Sequence, residues 1–170
     1  MLSESARMTT AAEARYRINA PNSKPRTIKV IALDRPSETI VKRLAGLAWN
    51  GAVFLTASAF SGSPRSGEPF SMTGWLSDLA GRTTDLIDEI KTADLVVMVA
   101  TTGEDAHAAS IIGDACHLHR VMTTALIVGS ASKSDEALSQ SLAQVRPHAL
   151  MVVIANAEEY IEDMLIALRA

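Results

Sequence analysis

A single cysteine, Cys116, in 170 residues excludes an intramolecular disulfide and a four-cysteine zinc site. A reducing, cytoplasmic setting is the expectation that follows. Aromatic residues are scarce at 4%, so any core must be aliphatic, built from Val, Ile, Leu, Ala and Met. That mixture suits a sheet covered on both faces by helices. No apolar run approaches the roughly 20 residues that span a bilayer, and the N-terminal stretch lacks the long apolar segment of a secretory signal. Excess positive charge is missing too. Residues 1–26 hold Arg7, Arg15, Arg17, Lys24 and Arg26 against Glu4 and Glu13, a balance of +3 within a chain of net charge -3. The remainder is therefore acidic, which argues against nucleic acid as a partner, since that needs a basic surface.

Three motifs are absent as well. No Gly-x-Gly-x-x-Gly follows a strand, and there is neither a Gly-x-x-x-x-Gly-Lys-Ser/Thr nor a Gly-x-Ser-x-Gly. Their absence removes the dinucleotide fingerprint, the P-loop and the hydrolase nucleophile elbow.

What is present is a globular composition, 48% apolar and 21% charged, in a chain long enough for one domain. Residues 1–26 are polar and contain Pro21 and Pro25, so they read as a flexible or partner-docking arm. The segment 27–170 reads as one α/β domain. Thr27–Asp34 is β-branched and apolar, a first strand. Asp34 and Pro36 suit the start of a helix burying Ile40, Val41, Leu44, Leu47 and Ala48, stopped by a left-handed Gly51. Ala52–Ala57 is a second strand, and turn-rich sequence follows to Met72, with room for a short strand at Pro69–Met72. Trp75, Leu76, Leu79, Leu86, Ile87 and Ile90 predict a helix broken or kinked near Gly81.

Ala93–Ala100 is a buried strand, followed by a helix expected from Glu104 to His119 and a strand at Val121–Gly129. Ser134 caps a helix with Leu138, Leu142 and Val145 on its apolar face, ended by Arg146-Pro147. Ala149–Ile154 is the last strand. Asn156 and Glu159 stand in capping-box spacing before a helix that buries Ile161, Met164, Leu165 and Leu168. The alternation predicts a three-layer α/β/α sandwich, Rossmann-like and doubly wound, around a mostly parallel sheet of five or six strands.

In such sheets ligands bind outside the strands' carboxyl ends. The expected crevice is formed by Asp34, Arg35 and Ser37, by Thr101, Thr102, Gly103, Glu104, Asp105 and His107, by the 58–72 loop, and by Ser130 to Ser132 on the rim. Arg35 and Arg65 are either anion contacts or solvated loop residues.

Ile28–Ile31, Leu86–Ala100 and Leu150–Asn156 resemble, in order and wording, the nucleotide-binding domain of the tubulin/FtsZ GTPase family over roughly residues 27–156. The resemblance implies a phosphate loop after Ala100. That family's glycine cluster after the first strand is replaced here by Leu33-Asp34-Arg35-Pro36-Ser37-Glu38, and its glycine-threonine loop is reduced to Thr101-Thr102-Gly103. Glu104 and Asp105 put like charge where a triphosphate would sit, so GTP binding is expected to be lost. Their other reading is as first-turn acids stabilising their own helix.

His107, Ser110, Asp114 and His117 share one helical face by spacing, the arrangement an enzyme or a metal site would use. At 1.5 Å rise, however, His107 and His117 lie about 15 Å apart, too far to share an ion. Only Asp114 with His117 and a distant residue such as His148 remains, and the chain is read as having no metal site. Cys116 reads as a buried small residue. Three functions stay open. One is a binding protein for a small ligand or protein partner, a non-hydrolysing relative of nucleotide-binding folds with no cofactor specified. Another is a structural or regulatory homo-oligomer clasped by the arm, and the third is an enzyme using the His107/Asp114/His117 face.

Overall fold

The computed structural model describes residues 26–58, 76–129, 133–156 and 159–170. Residues 1–25, 59–75, 130–132 and 157–158 lie outside the described residues, and with them nearly all of the expected arm, the expected strand at 69–72, Arg65 and Trp75.

Five strands form the parallel part of the sheet: β1 (Ile28–Ala32), β2 (Ala52–Thr56), β5 (Leu95–Thr101), β6 (Met122–Val128) and β7 (Met151–Ala155). Two short antiparallel strands, β3 (Leu76–Asp78) and β4 (Thr83–Thr84), extend it at one side. The order is β4-β3-β2-β1-β5-β6-β7, seven strands where five or six were expected. The fold is the expected mostly parallel α/β sandwich.

Alternate residues of each strand build two cores. On one face Ile31, Val96, Met98 and Ala125 meet helices α2 (Leu86–Lys91), α3 (Ala108–His119) and α4 (Asp135–Val145). On the other face Val30, Val97, Val99 and Leu126 meet α1 (Arg35–Ala45) and α5 (Glu159–Ala167). The chain steps from β1 to β2 over one face and from β5 through β6 to β7 over the other, as right-handed crossovers in opposite directions require. Among the described residues no helix is long and apolar enough to cross a membrane.

Several expectations are corrected. The first helix stops at Ala45, capped by a right-handed Gly46, so Gly51 is no left-handed cap and Leu47 and Ala48 are exposed. Gly51 has a steric role: a β-carbon there would stand 2.5 Å from the Arg26 carbonyl oxygen. The expected helix through Leu76 and Leu79 is a hairpin. The Asp78 carboxylate accepts the Ala80 and Arg82 N–H groups, and Gly81 takes φ +82°. Turn chemistry overrides a helical spacing there.

Strand β1 also contains Lys29, 6% exposed, whose ammonium reaches Glu89 of α2 at 2.7 Å. The pair pins the short helix onto the sheet.

Candidate functional site

The strand order reverses between β1 and β5, and sheets of this kind take ligands outside the carboxyl ends of the strands at such a reversal. Asp34 sits at this reversal. One carboxylate oxygen accepts the Ser37 N–H at 2.7 Å and caps α1; the other accepts the Thr101 N–H at 2.7 Å. Ser37 returns its hydroxyl to Asp34, completing a buried capping box. Burial pushes the Asp34 pKa up, and the hydrogen bonds from Ser37 and Thr101 oppose that push. The structure thus brings Asp34, Ser37 and Thr101 together, but with their polar atoms turned on one another, apart from the buried Thr101 hydroxyl, which has no partner among the described residues.

The turn after β5 is closed in the same manner. Thr102 is buried, and both its N–H and its hydroxyl donate to the Val128 carbonyl. The Gly103 N–H donates to Ser141 Oγ at 2.9 Å, and the Ala106 N–H to Gln144 Oε1 at 2.8 Å. Glu104 N–H donates to Thr101 O, and His107 N–H to the Asp105 carboxylate. Gly103, at φ +82°, occupies the left-handed region where glycine is favoured. Ser141 and Gln144 were not anticipated as site residues. Their only signal in the sequence was a polar pair three apart on a helix read for its leucines.

Helix α3 begins at Ala108, not Glu104, with His107 as an N-cap whose side chain makes no cap hydrogen bond. Glu104 and Asp105 are therefore turn residues and not first-turn acids. Asp105 pairs with the His107 ring, and both are exposed. Arg35 is exposed at the start of α1, and Ser130 lies outside the described residues. Also on α1, Glu38 accepts from Thr56 and Ser58 and pairs with Lys42.

The expected reactive face of α3 does not converge. Ser110 donates to the His107 carbonyl, while Asp114 lies toward the opposite end of the sheet, 3.8 Å from His148 Nδ1. Asp114, His117, Arg120 and His148 border a cleft of about 320 Å³ at the strands' amino ends. No group of three His, Cys, Asp or Glu side chains among the described residues is placed to hold a metal ion. Cys116 is fully buried in the α3 core, and burial pushes its thiol up to about 12, so it packs and does not attack. Leu118, near the end of α3, is exposed.

No family model and no curated protein matches this chain.

Proposed function

We propose that this chain is a partner-binding α/β protein, a non-hydrolysing relative of nucleotide-binding folds. The reading retains the resemblance to the tubulin/FtsZ family at the level of where the loop after β5 lies. It rests above all on the side chains of α4: Ser141 and Gln144 already hold the Gly103 and Ala106 N–H groups. A phosphate binds such a turn through free backbone N–H groups. Here a nucleotide would have to displace two internal hydrogen bonds and then meet Glu104 and Asp105. A phosphate contact has to make good each displaced bond before it adds any affinity. A protein partner needs no such donors. A cytoplasmic setting, without nucleic acid or membrane as partner, belongs to the same reading.

The test is a thermal-shift and calorimetric screen of the full chain against magnesium-GTP, ATP, NAD and sugar phosphates. A ligand at 100 times its Kd would add about 2.7 kcal/mol. No saturable shift is expected. A saturable shift with any nucleotide would replace this reading with a small-ligand one.

A further inference from the structure

We propose that β7 is the docking edge for a second copy of this chain, paired antiparallel with its own counterpart about a two-fold axis beside Val153. The proposal rests on the protein-binding reading above and names the partner.

The two edges of the sheet are built differently. At one, β4 is two residues long and stands between Arg82 and Asp85, the short and charged ending that discourages further pairing. At the other, β7 is Met151-Val152-Val153-Ile154-Ala155, with no charge, no proline and no neighbour beyond it among the described residues. Met151 and Ile154 are each 45% exposed, and Leu150 just before them is 79% exposed.

The hydrogen-bonding phase of β7 follows from its contact with β6. The Gly129 N–H donates to the Ala155 carbonyl at 2.9 Å, and Val128 is in register with Ala155. Peptide groups alternate sides along a strand, so Met151, Val153 and Ala155 face β6 while Val152 and Ile154 turn theirs to the open edge. An antiparallel copy centred on Val153 sets Val152 opposite the second copy's Ile154 and the reverse. Each pair then exchanges both of its N–H···O bonds. The same surface serves both partners, as a two-fold interface requires.

Charge agrees with that orientation. Helix α4 begins with exposed Asp135 and Glu136 and gives way to exposed Arg146 at its other end. Between them its surface is small at Ser139 and Ala143. An antiparallel copy on the same face of a continuous sheet reverses the helix, bringing the acidic start of one toward the basic end of the other. A parallel arrangement would bring like ends together.

The experiment is light scattering on the full-length chain over a concentration series, with amide exchange followed by NMR. The expected mass at high concentration is twice the 18.1 kDa of the chain. The Val152 and Ile154 amides gain protection as the dimer forms, while the Val153 amide, bonded to β6, is protected throughout. Ile154→Pro removes an outward N–H that β6 does not use and returns the mass to that of one chain. Ile154→Lys, at an exposed side chain, has the same outcome. Arg146→Glu weakens association, and adding Glu136→Arg restores it. A single-chain mass at every concentration overturns the proposal, as does a dimer in which Val152 and Ile154 exchange is unchanged. Either result leaves the partner-binding reading standing, which only saturable nucleotide binding removes.

Discussion

Asp34 joins three elements through one side chain, capping α1 and tying the end of β1 to the end of β5. Its raised pKa means that folding favours the neutral acid relative to the unfolded chain, so this contribution to stability is present at low pH and is lost as pH rises through the folded value. Glu38 has the opposite sign. Lys42 and the Ser58 hydroxyl hold its carboxyl below the usual range, so its contribution is present at neutral pH and is lost as pH falls through the folded value. Lys42 is half exposed, which limits the effect to that of a screened pair. Denaturant titrations are expected to place wild type about 0.2–1 kcal/mol above Glu38→Gln at neutral pH, with the two curves converging on acidification. A constant difference across pH would assign the role of Glu38 to packing.

At the scale of elements, the contact between α3 and the turn before β7 rests on a glycine. A β-carbon at Gly113 would stand 2.6 Å from His148 Cβ and 2.7 Å from the His148 carbonyl oxygen. Alanine would favour the helix by about 1 kcal/mol, but overpacking against backbone costs about 1–3 kcal/mol. Gly113→Ala is therefore expected to lower the unfolding midpoint, and a raised midpoint would show that the turn yields freely. The sequence placed a helix ending at His119, where α3 ends, and its Ala108, Ile112 and Ala115 are buried at the helical repeat. It misplaced the start of the helix. Glu104 and Asp105 have the composition of a first turn, whereas Thr101–Ala106 is held as a turn by residues of α4 that lie far along the chain. The β3–β4 hairpin was hidden for a related reason: Leu76 and Leu79 sit at helical spacing, but the Asp78-to-Gly81 turn chemistry decided the backbone.

For the whole molecule, the pairing proposed for β7 and the docking role expected of the arm are separated by deletion. Residue 26 is tied to the end of α5 by its N–H bond to the Arg169 carbonyl, so removing residues 1–25 leaves that anchor in place. The deleted chain is expected to keep the mass of the intact one in light scattering. A fall to a single chain would assign the interface to the arm.

By itself the sequence determined the α/β class, the two-sided burial of the central strands and the capping role of Asp34, since each follows from local pattern and chemistry. It also located the turn after β5. Only the tertiary structure decided that this turn is sealed from within. The partners of its N–H groups, Ser141 and Gln144, lie 38 residues away and meet it solely because α4 packs on the same face as α3. That β7 is the last strand among the described residues was likewise invisible before assembly. Strands buried on both faces read alike in sequence, and whether one is central or last depends on which strands pair beside it.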